Sequence, residues 1–127
     1  MIFLLLSATA YLVGSIPSGL VLCALFEDSD PRESGSGNIG MSNVWRLHGA
    51  GPGLCTLAID LGKGAACVYA AAEAGLDVNS CGAIGFAAVL GHCYSAFTEF
   101  RGGKGVATAG GALLALCPSL FLCLLGI

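Results

Sequence analysis

From Ile2 to Phe26 the sequence runs for 25 residues without a charged side chain. As a helix rising 1.5 Å per residue this stretch is about 37 Å long, enough to cross the hydrocarbon core of a bilayer with some tilt. A cleaved signal peptide is the rival reading. The run is too long for one, begins without a basic region and carries Pro17 near its middle. The rest of the chain agrees with a membrane span: 56% of the 127 residues are hydrophobic, only 10% are charged and the mean hydropathy is +0.85. Soluble domains carry about 25% charged residues. Twenty glycines in so apolar a chain fit closely packed membrane helices, whose backbones approach where side chains are small.

Three more apolar stretches follow, at roughly 53–76, 78–98 and 106–127, so the spacing predicts an all-α polytopic protein of about four transmembrane helices. It is read as one integral-membrane domain over 1–127. Small residues at four-residue spacing mark the faces expected to meet other helices. They are Ser15, Gly19 and Cys23 in the first span, Gly62, Ala66, Ala70 and Ala74 in the second, and Ala107, Gly111 and Ala115 in the fourth. The second span, interrupted by Asp60 and Lys63, is expected to be packed inside protein with little lipid exposure. Seven cysteines are an odd number without a C-x-x-C pair. They read as small buried hydrophobes, and disulfide, zinc and redox readings fail. A formal charge of −3 with no basic run argues against a nucleic-acid partner.

Four spans place loops 27–52 and 98–105 at one end. All five basic residues, Arg32, Arg46, Lys63, Arg101 and Lys104, then lie at that end, while Glu73 and Asp77 lie at the other. The positive-inside rule makes the basic face cytoplasmic and puts the N-terminus outside.

Polar residues gather at that same face. Ser34 to Arg46 combines glycines that uncover backbone N–H groups with Ser36, Asn38, Ser42 and Asn43 and the forked donors of Arg46, the ingredients of an anion cradle. Gly35-x-Gly37-x-x-Gly40 within it is not a dinucleotide fingerprint, because no strand precedes it, and neither Lys63 nor Lys104 has the spacing of a nucleotide phosphate loop. Asp60, Lys63 and His92 are ionisable groups in spanning segments, hence candidate functional residues. Gly102-Gly103-Lys104-Gly105 offers N–H groups, a helix start and an ammonium, a second anion site. Plain alternatives stand beside these readings: Asp60 and Lys63 can simply neutralise each other, His92 can be a core histidine, and a basic glycine loop can bind headgroups or set topology. A pocket of anion donors at a hydrocarbon boundary suits a substrate with a phosphate and an acyl chain.

Gly35-Ser-Gly-Asn-Ile-Gly-Met-Ser-Asn-Val-Trp-Arg46, Asp60-Leu-Gly-Lys-Gly64, and Gly91-His92 followed by Phe100-Arg-Gly-Gly-Lys-Gly-Val-Ala-Thr108 resemble the motifs of the bacterial acyl-phosphate:glycerol-3-phosphate acyltransferase (PlsY) family. Tyr11 to Gly19 is similar too, and the likeness covers nearly the whole chain. The resemblance implies a polytopic enzyme of the bacterial inner membrane with its active site facing the cytoplasm. It would move a fatty acyl group from acyl phosphate to the 1-hydroxyl of sn-glycerol 3-phosphate in phospholipid biosynthesis, giving lysophosphatidic acid and phosphate. No cofactor, metal or nucleic acid is implied; the partners are the two substrates and membrane lipid, and a monomer is expected. Carried over by position, Ser36, Arg46, His92 and Lys104 would be catalytic. Gly37, Asn38, Gly40, Ser42, Asn43, Lys63, Gly64, Gly102, Gly103 and Gly105 would shape the substrate and phosphate sites. Met41 and Ser42 stand where the family more often has Ala and Thr, and Ser95 where it commonly has Pro. The family continues through further spans to another cytoplasmic segment, so a truncated chain is expected, which puts its activity, but not its family, in question. A transporter or binding protein for a phosphate-bearing anion is the main alternative, and a non-catalytic membrane scaffold a second.

Overall fold

Pro17 has no N–H to donate, and the first apolar run breaks there into α1 (Ile2–Ser15) and α2 (Ser18–Phe26). The computed structural model describes residues Met1–Ile127 and adds α3 (Met41–His48), α4 (Ala50–Glu73), α5 (Val78–Cys93), α6 (Val106–Leu116) and α7 (Pro118–Leu125), with no strand. At the break Ile16 N turns back to Val13 O and Ser18 N to Ile16 O, so the last carbonyls of α1 lose their ordinary partners. Other segments fill them. Lys63 Nζ, from α4, donates to Gly14 O at 3.2 Å and Ile16 O at 2.8 Å, and Ser95 Oγ donates to Ser15 O. Backbone left open in a dry interior must be satisfied in this way.

The expected fourth span is likewise two helices, because Pro118 opens α7 at the first helical position, where a missing N–H costs nothing. The four expected apolar spans are present as two helical stretches long and apolar enough to cross a membrane, Ile2–Phe26 through its break and Ala50–Glu73, and two shorter apolar helices, Val78–Cys93 and Val106–Leu116. The third ends at Cys93 rather than near 98, and the region after it turns through residues 95–100. α5 starts on Asp77, whose carboxylate accepts from Asn79 N, Ser80 N and Ser80 Oγ. The Ser80 hydroxyl, with the amides, holds that carboxyl below its ordinary range.

Two helix pairs, α1 with α5 and α4 with α6, pack closely enough that only glycine fits at their crossing. A Cβ on Gly14 would sit on the Ala88 carbonyl oxygen and one on Gly91 on that of Tyr11; Gly64 and Gly111 stand in the same relation to Thr108 and Leu61. Between the pairs, Ala10, Cys67, Val68, Ala71, Cys81, Ile84 and Ala88 form the core. The small-residue stripes are only partly the packed faces. Gly62, Ala66, Ala70 and Ala74 are all exposed, because α4 turns Asp60, Lys63, Gly64, Cys67, Val68 and Ala71 inward, so α4 has an outward face that carries Leu54, Ile59 and Tyr69. Of Ala107, Gly111 and Ala115, Gly111 is buried and Ala115 exposed. Ser15, Gly19 and Cys23 are buried as expected, yet Gly19 lies against Ile39 and Val44 of the following loop and α3 instead of another spanning helix. All seven cysteines are free, and Cys55 and Cys123 are exposed.

α3 corrects the reading of 27–52 as continuous loop. Gly49, at φ 87°, turns α3 into α4, and Gly53 lets the Trp45 side chain lie against α4.

Candidate active site

Asn43 is the fastener of the first polar stretch. Buried at the start of α3, its amide nitrogen donates to Pro31 O, Ser34 O and Asn38 O at 2.9, 3.2 and 2.9 Å, and its Oδ1 accepts from Ser36 N at 3.0 Å. Asn38 Oδ1 in turn accepts from Gly40 N, a local turn that delivers the chain into α3. The Asn43 side chain is therefore consumed in shaping the loop. Met41 N and Ser42 N, at the start of α3, have no protein acceptor.

The second glycine cluster folds differently from the expectation of free Gly102 and Gly103 amides. Gly102 N donates to Cys93 O and Gly103 N to His92 O, both at 3.0 Å, so these two amides close the turn onto the end of α5. A side chain on Gly103 would strike His92 Nε2. The open amides lie one step later: Lys104, Gly105, Val106 and Ala107 donate to no protein acceptor, because α6 begins at Val106 on a glycine that can offer no side-chain cap.

Both helix starts face one cavity of about 390 Å³. Ser36, Asn38, Gly40, Ser42, Asn43, His92, Lys104 and Gly105 of the expected set line it, together with Met41, Leu57, Val106 and Ala107 on its apolar side and Asp60. Six unpartnered amides, two helix N-termini and the Lys104 ammonium converge there, a concentration of positive potential that suits a phosphate. Loops 27–52 and 98–105 thus meet at one end of the helices. A second cavity of about 520 Å³ beside it is lined by Asp30, Arg32, Glu33, Gly37, Ile39, Phe97, Thr98, Glu99, Arg101 and Gly102. There Arg32 grips Asp30 by a forked pair of hydrogen bonds, which holds the Asp30 carboxyl below its ordinary range.

Behind the first cavity sits a buried polar knot. Asp60 Oδ1 accepts from Ser18 Oγ at 2.5 Å and from Lys63 Nζ at 2.8 Å, and Lys63 Nζ also lies 3.2 Å from His92 Nδ1. Lys63 is thereby spent inside the protein and does not line the cavity. Gly64 serves the α4·α6 crossing, Gly37 and Gly102 the neighbouring cavity, and Gly103 the His92 edge. Arg46 is exposed, has no hydrogen bond or ion pair within the chain, and is not among the residues lining the cavity. Asp60, a candidate functional residue as an ionisable group in a span, joins the site's machinery beside the residues the resemblance implied, and Ser18 joins it without having been expected. A serine directly after Pro17 and an acid one turn before Lys63 are the signals that point to them.

The family model described as glycerol-3-phosphate acyltransferase matches residues 4–127. A glycerol-3-phosphate acyltransferase of Shewanella sp. (strain W3-18-1) is 46% identical over 122 residues, 96% of this chain and 60% of the relative. One of Syntrophotalea carbinolica is 48% identical over 117 residues, 91% of this chain and 60% of the relative. Among solved structures, the glycerol 3-phosphate form of PlsY, an integral membrane glycerol 3-phosphate acyltransferase, aligns with a TM-score of 0.90 at 41% identity, covering 97% of this chain and 62% of that one. Its lysophosphatidic acid form aligns with a TM-score of 0.86 at 39% identity, covering 97% and 61%. The chain spans about 60% of the length of the curated relatives it matches.

Proposed function

As the chain belongs to the glycerol-3-phosphate acyltransferase family, we propose that its cavity serves acyl transfer from acyl phosphate to the 1-hydroxyl of sn-glycerol 3-phosphate, in the bacterial inner membrane with the cavity facing the cytoplasm. The observation that carries this reading is the convergence of six open amides and the Lys104 ammonium on one cavity with a partly apolar wall. The solved relatives described as glycerol 3-phosphate and lysophosphatidic acid forms support it. So does the positive-inside rule, for the sidedness.

Acyl phosphate is an activated anhydride, so the step needs positioning and charge neutralisation more than a new nucleophile. The 1-oxygen of the glycerol bonds to the acyl carbon and the bond from that carbon to the bridging oxygen breaks. The departing phosphate takes the electron pair, and the hydroxyl proton leaves with it. The amides of Lys104 to Ala107 and the Lys104 ammonium hold the developing negative charge. Met41 N, Ser42 N and the hydroxyls of Ser36 and Ser42 orient the second phosphate-bearing substrate, and Leu57, Met41 and Val106 line the side where an acyl chain enters. Arg46, exposed and outside the cavity's lining, is given no step.

Incubating the purified protein in detergent micelles with labelled glycerol 3-phosphate and either palmitoyl phosphate or palmitoyl-CoA tests the assignment. Labelled lysophosphatidic acid should form with palmitoyl phosphate alone, and equal use of the CoA ester would remove the proposal.

A further inference from the structure

His92 stands between the buried knot and the cavity, and its two ring nitrogens meet opposite chemistry. Nδ1 lies 3.2 Å from the Lys63 ammonium. Nε2 makes no hydrogen bond in the protein, is not sealed from solvent, and abuts Gly103, where a side chain would strike it; His92 is one of the residues that line the cavity.

Lys63 has protons only to give. Its three N–H bonds serve Ile16 O and Asp60 Oδ1, each at 2.8 Å, and the pair Gly14 O and His92 Nδ1, each at 3.2 Å. A proton on Nδ1 would face that ammonium donor to donor, and the nearest alternative acceptor, Asp60 Oδ1, is 3.6 Å away, beyond hydrogen-bond reach. Asp60 is already engaged by Ser18 and Lys63, so the knot holds its own charge balance without the histidine.

We propose that Ser18, Asp60 and Lys63 are positioning residues that fix His92 as the neutral tautomer with its proton on Nε2, so that His92 donates a hydrogen bond into the cavity and does not act as a base. The ammonium of Lys63 occupies the Nδ1 lone pair, the carboxylate of Asp60 keeps that ammonium in place, and the Ser18 hydroxyl, fixed just after the Pro17 break, orients the carboxylate. The ring then offers one N–H to the cavity that the residues of the open amides at the start of α6 also line. Its role toward a phosphate or acyl oxygen rests on the proposed acyl transfer, whereas the tautomer does not.

The chain contains only His48 and His92, so nitrogen-15 histidine labelling with a His48→Gln variant assigns the ring signals in micelles. Wild-type protein at neutral pH should show His92 protonated at Nε2 with an unprotonated Nδ1, and adding glycerol 3-phosphate or inorganic phosphate should move the Nε2 signal. Lys63→Met should convert it to a mixture of tautomers, and Ser18→Ala should shift it part of the way. An Nδ1-protonated ring or an imidazolium in the wild type overturns the inference. A kinetic arm reads the role. His92→Ala should lower kcat/KM by about 10- to 150-fold, the loss associated with a hydrogen bond to a charged group, and His92→Gln, whose amide N–H falls near the Nε2 position, should recover most of it. Equal loss in both variants overturns the donor role. If the wild type shows the Nε2–H tautomer but transfers no acyl group, the functional proposal fails and the tautomer stands. Acyl transfer by a protein with an Nδ1–H ring would instead leave the functional proposal standing and overturn the tautomer.

Discussion

α5 and α6 begin in opposite ways. At the start of α5 the Asp77 carboxylate accepts from Asn79 N, Ser80 N and Ser80 Oγ, so the first amides are capped from within the chain. At the start of α6 the capping position is Gly105, and the amides from Lys104 to Ala107 are left open beside a lysine. Both termini carry the same partial positive charge. The difference is that one supplies its own anion, at the end of the helices away from the cavity, while the other faces the cavity and is left for an anion from outside. The broken end of α1 gives the same lesson for carbonyls: those of Gly14, Ser15 and Ile16 are all met by Lys63, Ser95 or a nearby amide, so that break is structural and closed.

Breaking the closed end should have the largest effect. Lys63→Met leaves Asp60 buried without its cation and strips Gly14 O of its donor and Ile16 O of one of its two, a loss of about 3–5 kcal/mol for a broken buried pair. Thermal unfolding in micelles should show a large fall in Tm, and an unchanged Tm would mean the knot does not hold the α1 break. Breaking the open end should be invisible to stability and visible to chemistry. Lys104→Ala should keep the wild-type Tm while lowering kcat/KM by about 10- to 150-fold, whereas Arg32→Ala, an exposed arginine tied to Asp30, should change it little. Near-normal kinetics for Lys104→Ala would remove the ammonium from the phosphate site. The smallest effect belongs to the capped start of α5. Because the folded state holds the Asp77 carboxyl below its ordinary value, its contribution is present above that ordinary value, about 4, and fades as pH falls through the folded one. Asp77→Ala should therefore lower Tm modestly at neutral pH and converge with the wild type in acid; a constant difference down to acid pH would contradict the cap.

Hydropathy makes the helical content and the meeting of the two polar loops legible, because charge-free runs and clusters of glycine with basic residues survive any detail of packing. It does not show which face of α4 turns inward. Gly62, Ala66, Ala70 and Ala74 look like a packing ridge, but the cost of burying Asp60 and Lys63 unpaired makes the opposite face the one that meets α1 and α5, where Ser18, His92 and two carbonyls await them. Pro17 and Pro118 are visible as letters, yet a hydropathy window reads through them. α3 is hidden because its first turn, Met41-Ser42-Asn43, is written in residues that also favour turns. Sequence places the open amides two residues too early for the same kind of reason: only the fold reveals that His92 O and Cys93 O claim Gly103 N and Gly102 N first.

The Asp60–Lys63 pair also bears on how α4 enters the bilayer. A single Asp or Lys at mid-helix costs about 2.5–3.5 kcal/mol on insertion. Here the two charges are three residues apart in one helix and already 2.8 Å from each other, so α4 carries its own counter-ion before α5 brings His92. In a translocon assay of the α4 segment, Lys63→Gln should insert less well than wild type despite carrying one charge fewer, and better insertion would refute the idea. The order of synthesis is then no obstacle: the helix can cross as an ion pair and afterwards keep it, adding the carbonyls of α1 and the ring of α5 as further partners of the same ammonium.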